Sequence, residues 1–122
     1  MNKILLIDDD EHFREMFAEL LTRNNYHVIE TSDGRYAKSL FIEHSPDLVI
    51  TDIIMPDKEG IETILELKKM NKAIKIIAIS GGGRTNAVDN LRSAKLLGAN
   101  MIFEKPFENK EILAGIEKLL NM

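Results

Sequence analysis

The sequence predicts an α/β domain in which helices cover both faces of a parallel sheet. Short apolar segments alternate five times with segments of helical periodicity. The first of these segments, residues 3–7, also lacks the regular alternation of apolar and polar residues that marks a strand with one solvated face. The length of 122 residues fits one domain that folds without disulfides, and the chain contains no cysteine.

Five segments have the composition of strands. In chain order they are residues 3–7, 26–31, 48–50, 73–79 and 100–103. Residues 3–7 and 73–79 are largely aliphatic, which is typical of strands buried on both faces, and the central strand lies between Pro46 and Pro56. Residues 26–31 are more polar, as expected at a sheet edge.

The helices are predicted from apolar residues that recur three and four positions apart. The first helix runs from Glu11 to the Asn24–Asn25 pair, and the second is capped by Ser32 or Asp33 and ends at His44. The third covers residues 57–70, and the fourth covers residues 85–97 and stops at Gly98. The C-terminal helix has its apolar face at residues 112–120. Met16 and Leu65 are expected to face the core, and the six methionines are interpreted as core filler. Gly60 should weaken its helix slightly, and Gly115 should cost up to about 1 kcal/mol relative to alanine.

The composition argues against several classes of protein. A net charge of -4, from 16 basic and 20 acidic residues, argues against non-specific nucleic-acid binding by this domain. The absence of cysteine excludes thiolate metal sites, and the three histidines lack metal-ligand spacing. The apolar run at residues 4–7 is too short for a signal peptide, and no run approaches membrane-spanning length. We therefore expect a cytoplasmic domain that does not contact a membrane.

Polar side chains follow four of the predicted strands. Asp8 and Asp9 come after the first strand, Asp52 after the third, Ser80 after the fourth and Lys105 after the fifth. Taken singly, each has an ordinary explanation as a turn residue, a helix cap or a solvated charge. In parallel α/β sheets, however, ligands bind beyond the carboxyl ends of the strands, near the point where the strand order reverses. The ordered set therefore indicates a functional pocket.

The chemistry of this set favours a magnesium site that binds a phosphoryl group. Three carboxylates in one small pocket repel one another, and a divalent cation between them removes the repulsion. A site built from a few oxygen ligands suits Mg²⁺. A metal beside a carboxylate, with a lysine and a hydroxyl opposite, suits a phosphoryl group, and the carboxylate can itself be the nucleophile that forms an aspartyl phosphate.

Four motifs occur in order along the chain: IDDD at the first strand, TDIIMP followed by Gly60, the Ser80–Gly81 pair, and GANMIFEKPF around Lys105. Over essentially the whole chain, 1–122, this set resembles the receiver domain of two-component response regulators. The resemblance implies a flavodoxin-like, doubly wound, five-stranded parallel sheet in the order 2-1-3-4-5 with five helices. Such a domain is not an enzyme in the usual sense, because it catalyses only its own phosphorylation and dephosphorylation.

The resemblance also implies roles for the acidic residues. Asp52 would accept a phosphoryl group from a sensor histidine kinase or a phosphotransfer protein. Asp9, Asp52 and the main-chain carbonyl of Ile54 would bind Mg²⁺ directly, and Asp8 would act mainly through a metal-bound water. Asp10 matches no ligand of the family and is expected to be a carboxylate at the start of the first helix.

Two further residues would complete the switch. Lys105 would pair with a phosphoryl oxygen, and the Ser80 hydroxyl would follow the phosphate and relay the signal to a downstream protein or output domain. In most receivers an aromatic residue three positions before the lysine takes part in this relay, but here that residue is Ile102. Phe103 should point to the opposite face of its strand. We therefore expect backbone and loop shifts to carry the signal.

One rival belongs to another class of protein. Asp8 and Asp10 also match the Asp-x-Asp motif of haloacid-dehalogenase-like phosphatases, in which Asp8 would be the nucleophile of a Mg²⁺-dependent hydrolysis. That family needs a further acidic pair after the lysine, where this chain has Glu108 and Glu111 on its last helix. The rival also leaves Asp52 unexplained. A third possibility is an interaction module that keeps the fold without being phosphorylated.

The side chain of Ile54 leads to a prediction about the lifetime of the phosphorylated state. Ile54 lies two positions after the phosphoacceptor and has no polar atom that could orient a hydrolytic water, so the phosphoaspartate should persist. The Ile54→Asn variant should lose phosphate faster, measured as the decay of the phosphorylated protein. Equal decay in the variant and the parent would contradict the prediction.

Overall fold

The computed structural model describes residues 1–53, 60–81, 92, 94, 95 and 97–122. We number the elements within these residues in chain order. They are β1 (Lys3–Ile7), α1 (Glu11–Arg23), β2 (His27–Thr31), a 3-10 turn (Gly34–Tyr36), α2 (Ala37–His44), β3 (Leu48–Asp52), α3 (Gly60–Met70), β4 (Lys75–Gly81), β5 (Met101–Lys105) and α4, the C-terminal helix (Asn109–Leu120). The helix predicted at 85–97 lies mostly outside the described residues, although Arg92, Ala94 and Lys95 are helical.

The five strands form one parallel sheet in the order β2-β1-β3-β4-β5, which confirms the predicted fold. The central strand β3 is buried at all five positions, as expected for a strand covered on both faces. In the register of the sheet, Ile7 pairs with Thr51, Asp52 pairs with Ile79, and Gly81 pairs with Lys105. The carboxyl ends of β1, β3, β4 and β5 therefore lie side by side along the carboxyl edge of the sheet.

Each face of the sheet has its own hydrophobic core. On one face, Ile64 and Leu67 of α3 and Ala37 of α2 pack against Val49 and neighbouring strand residues. On the other face, α1 and α4 pack against the sheet through Phe17, Leu21, Ile112, Ile116 and Leu119. No helix in the described part of the chain is long and apolar enough to cross a membrane.

Several strand boundaries differ from the prediction, most of all those of β4 and β5. Strand β4 begins at Lys75 rather than at residue 73 and continues through Ser80 and Gly81. Strand β5 includes Glu104 and Lys105, because Ser80 pairs with Glu104 and Gly81 pairs with Lys105 in the ladder. Both Ser80 and Lys105 therefore lie on paired strands rather than in turns, which restricts their positions.

Some residues predicted to face the core are exposed. Met16 is 58% exposed and Leu65 is 40% exposed, so both predictions were wrong. The interpretation of the methionines as core filler was wrong for Met1 and Met122 as well, which are exposed at the two ends of the chain. The apolar stripe that helical periodicity predicts on α1 is wider than the part of the helix that packs against the sheet. Phe17, Ala18 and Leu21 are the buried residues of that helix.

The helix starts follow the predicted capping chemistry. Asp10 is the N-cap of α1, and its side chain accepts a hydrogen bond from the Phe13 N–H at 3.1 Å. Asp33 rather than Ser32 caps the next segment by accepting from the Arg35 N–H at 2.8 Å. The cap belongs to the 3-10 turn that precedes α2. Asp10 thus has the structural role that was expected of it.

Gly115 permits a close approach between α4 and the sheet, so its effect is not limited to helix propensity. A Cβ atom at this position would lie 2.9 Å from the sulfur of Met101 and 3.3 Å from Cζ of Phe103. Both residues belong to β5, the edge strand on this side of the sheet. A larger side chain would therefore have to displace the side chains of Met101 and Phe103.

Replacing this glycine with leucine tests the close approach. We expect Gly115→Leu to lower the free energy of unfolding by about 1–3 kcal/mol, because overpacking forces neighbouring side chains out of their rotamers. Urea denaturation measures the change. Ala114→Leu adds the same side chain at an exposed position of the same helix and should be nearly neutral. Similar unfolding midpoints for the two variants would contradict this interpretation.

Candidate functional site

The carboxyl edge of the sheet brings three acidic side chains together. Asp8, Asp9 and Asp52 each offer a carboxylate oxygen, and these oxygens lie within 4.8 Å of one another. Asp8 is fully buried and Asp52 is 1% exposed, while Asp9 is partly buried. Water therefore screens the mutual repulsion of these charges only weakly. The arrangement calls for positive charge in the same pocket.

Asp8 is held in place by several hydrogen bonds. Its Oδ1 accepts from the Asp10 N–H at 2.9 Å, and its Oδ2 accepts from Lys105 Nζ at 2.8 Å. Its main-chain carbonyl accepts from the guanidinium of Arg14 at 2.9 Å, and Arg14 also pairs with Glu30 at 3.4 Å. Both carboxylate oxygens of Asp8 are thus already used by the protein.

Asp9 differs from its neighbour in this respect. Its Oδ1 is buried, and no group in the described part of the chain donates a hydrogen bond to it. Buried polar atoms in folded proteins nearly always have partners, so an oxygen of this kind fits a site that a cation completes. The oxygen donors and their number suit Mg²⁺. The observation favours Asp9 over Asp8 as a direct ligand.

Lys105 supplies a positive charge to the pocket. Its Nζ lies 2.8 Å from Asp8 Oδ2 and 3.8 Å from Asp52 Oδ2, and its side chain is only 16% exposed. The same ammonium lies over the ring of Phe13, 3.8 Å from the ring centroid. The alternative of a solvated loop charge is therefore wrong for this lysine. One ammonium still leaves an excess of negative charge among the three carboxylates.

Ser80 lies on β4, next to the strand that carries Asp52. The register pairs Asp52 with Ile79, so Ser80 is one residue further along the neighbouring strand. The residue is fully buried, and its Oγ has no hydrogen-bond partner among the described residues. An unsatisfied buried hydroxyl costs about 1–3 kcal/mol. It can act as a donor to an acceptor oxygen that enters the pocket.

Gly60 allows the start of α3 to approach the backbone of Asp52 and Ile53, a role that helix propensity alone does not reveal. A Cβ atom here would lie 2.0 Å from the carbonyl oxygen of Asp52 and 2.6 Å from Cα of Ile53. The Gly60 N–H donates to the Ile53 carbonyl at 2.7 Å. Only glycine allows the first turn of α3 to contact the backbone of the phosphoacceptor candidate. The signal in the sequence was a glycine within the first turn of a helix that follows the central strand.

The remaining site predictions have different outcomes. Ile54, whose carbonyl was expected to bind the metal, lies outside the described residues. Ile102 is 37% exposed on β5, whereas Phe103 packs with the core residues of the opposite face, as predicted. The contacts of Phe13 and Arg14 with the pocket were missed, because they join α1 to Lys105 and to Asp8, and periodicity along one helix does not reveal contacts outside that helix.

Comparison with known proteins identifies the family. The model of the response regulator receiver domain family matches residues 4–117. The chain belongs to this family. The chemotaxis protein CheY of Bacillus subtilis is 36% identical to this receiver domain over 121 residues, and the match covers 98% of both chains.

Further relatives agree with this assignment. The transcriptional regulatory protein CpxR of Escherichia coli is 36% identical over 120 residues, and this receiver domain spans 50% of its length. The crystal structure of a receiver domain protein from Clostridium thermocellum superposes with a TM-score of 0.90, at 29% identity, and covers 99% of this chain. Receiver domains are signalling domains rather than classical enzymes, and the family binds Mg²⁺ at an acidic pocket.

The phosphatase alternative does not fit this structure. It requires Asp8 and Asp10 to act together, but Asp10 is exposed and caps α1 through the Phe13 N–H. The acidic cluster instead joins Asp8 and Asp9 to Asp52, which the phosphatase alternative does not use. The family match and the position of Asp10 therefore both argue against it.

Because the three carboxylates repel one another, removal of one charge should stabilise the metal-free protein and weaken its binding of Mg²⁺. In EDTA, Asp9→Asn should raise the free energy of unfolding by about 1 kcal/mol, because it removes one of three close negative charges. Mg²⁺ at a hundred times its dissociation constant should stabilise the parent by about 2.7 kcal/mol and the variant by much less. Urea denaturation with and without Mg²⁺ measures both effects.

Asp10→Asn is the matched control for this experiment. It removes the same charge one residue further along, outside the cluster, and asparagine caps helices as well as aspartate does. Its stability in EDTA and its response to Mg²⁺ should therefore match those of the parent. An Asp9→Asn variant that behaved like this control would contradict the assignment of the cluster as a metal site.

Proposed function

We propose that residues 1–122 form a phosphorylation-dependent signalling switch in which Asp52 accepts a phosphoryl group with the help of Mg²⁺. The observation that carries the proposal is the placement of Asp52. It is buried at the end of β3, close to the acidic residues that follow β1, and the ammonium of Lys105 lies 3.8 Å from its Oδ2. The phosphoryl donor is the phosphohistidine of a sensor histidine kinase or of a phosphotransfer protein.

Asp9, Asp52 and the main-chain carbonyl of Ile54 would hold the Mg²⁺ directly. Asp8 would act through a metal-bound water, because both of its carboxylate oxygens already accept hydrogen bonds from the protein. When bound, the metal would supply positive charge that offsets the carboxylates and the phosphoryl oxygens. The burial of the cluster strengthens this attraction relative to bulk water.

Asp52 is the nucleophile of the transfer. One of its carboxylate oxygens bonds to phosphorus as the bond between phosphorus and the donor nitrogen breaks, and the electron pair of that bond stays on the imidazole. Lys105 pairs with a phosphoryl oxygen, which its ammonium can reach from its position near Asp52. The Ser80 hydroxyl donates to another phosphoryl oxygen. These groups stabilise the charge of the transferring group.

The consequence of phosphorylation is a signal to another protein or to an output domain. Movement of Ser80 towards the phosphate shifts the end of β4. Ile102 stands on the neighbouring strand β5 at the position where most receivers have an aromatic residue. This chain matches half the length of CpxR, which is a transcriptional regulatory protein. We infer that the domain acts in the cytoplasm, binds no nucleic acid or membrane itself, and catalyses only its own phosphorylation and dephosphorylation.

Incubation with acetyl phosphate and Mg²⁺ tests the proposed function. Intact-protein mass spectrometry should show a gain of one phosphoryl group in the parent and in Asp10→Asn, and none in Asp52→Asn. EDTA should prevent the gain. A mass gain that survives in Asp52→Asn would overturn the assignment of the nucleophile, and steady hydrolysis of small phosphate esters abolished by Asp8→Asn would support the phosphatase instead.

A further inference from the structure

The Lys105 ammonium rests on an aromatic ring as well as on carboxylates. Its Nζ lies 3.8 Å from the centroid of Phe13, well inside the distance at which a cation is attracted to the face of a ring. The lysine side chain is only 16% exposed, so water competes weakly for the ammonium. The attraction should therefore be near the strong end of the range for such pairs.

The ring of Phe13 is itself held in position by other aromatic residues. Its centroid is 5.5 Å from that of Phe17 and 5.9 Å from that of Phe107, with an edge-to-face geometry to Phe107. Phe107 in turn contacts Phe17 at 5.8 Å and Phe103 at 5.9 Å. The cluster joins α1 to β5 and to the segment that follows it. Phe13 cannot turn away from the lysine without breaking these contacts.

A ring is a suitable support for a lysine that changes partners. The four-carbon stem of Lys105 is flexible, and its ammonium, which donates to Asp8 Oδ2 at 2.8 Å, can turn towards a phosphoryl oxygen on Asp52. A third carboxylate contact would compete with that oxygen for the ammonium. A ring face attracts the charge and offers no such competing anion.

We propose that Phe13 is a positioning residue for phosphoryl transfer. Its ring face keeps the Lys105 ammonium between Asp8 and Asp52 while the hydrogen bond that the ammonium donates passes from Asp8 to the phosphoryl group on Asp52. This inference rests on the proposed function of Asp52. The relevant property of Phe13 is the electron density on its ring face rather than its apolar surface.

Fluorination of the ring separates these two properties. Replacing Phe13 with 4-fluoro-, 3,5-difluoro- and 3,4,5-trifluorophenylalanine withdraws electron density from the face with little change of shape. The rate constant for phosphorylation by acetyl phosphate at saturating Mg²⁺ should fall steadily along the series, by about 3- to 30-fold at its end. Phe13→Leu, which keeps an apolar side chain, should be as slow as the trifluoro variant.

Phe17 provides the matched control. It belongs to the same aromatic cluster and is buried, but no ammonium lies over its face in the part of the chain that the structure describes. The same fluorinated series at Phe17 should leave the rate constant unchanged. Unfolding midpoints of both series show whether any loss of rate reflects loss of structure.

The resonances of the Lys105 ammonium give a readout that does not depend on phosphorylation. Protons above a ring face are shielded, so Phe13→Leu should move the ε-methylene and ammonium protons of Lys105 downfield, and Phe17→Leu should move them little. If the parent gains phosphate but its rate is the same along the Phe13 series, the inference is overturned and the proposed function stands. If the parent gains no phosphate, the proposed function fails, and the inference fails with it.

Discussion

The electrostatic repulsion among Asp8, Asp9 and Asp52 is the constraint on which the rest of the structure depends. Their oxygens are held within 4.8 Å of one another because two buried parallel strands end side by side. The strands cannot separate without exposing the cores on both faces of the sheet. The fold therefore maintains an arrangement of charge that is unfavourable without a cation, which is a common compromise between stability and function.

The groups around the cluster give chemically similar residues different tasks. Asp8 and Asp9 are neighbours, yet the carboxylate of Asp8 is occupied by hydrogen bonds from Asp10 and Lys105, while an oxygen of Asp9 has none from the described residues. The backbone around Asp52 is fixed from the other side by the close contact with Gly60. The environment rather than the residue type thus decides what each group does.

Much of this could be predicted from the sequence, because parallel strands bring their carboxyl ends to one edge. That rule predicts that Asp52, Ser80 and Lys105 lie at the same end of the sheet, although the strand order came from the family resemblance. The misses share a physical cause. Exposure of Met16 depends on how much of α1 the sheet covers, and the space at Gly60 depends on contacts between elements. Periodicity within one segment contains neither kind of information.

The buried hydroxyl of Ser80 also bears on how sharply such a domain can change state. A buried hydroxyl that lacks an acceptor costs about 1–3 kcal/mol, and the hydroxyl of Ser80 has no acceptor among the described residues. An oxygen that accepts this proton in only one of two conformations shifts their equilibrium by about 5- to 150-fold. In the proposed switch, a phosphoryl oxygen on Asp52 would be such an acceptor, so phosphorylation would satisfy a hydroxyl that the described residues leave without a partner.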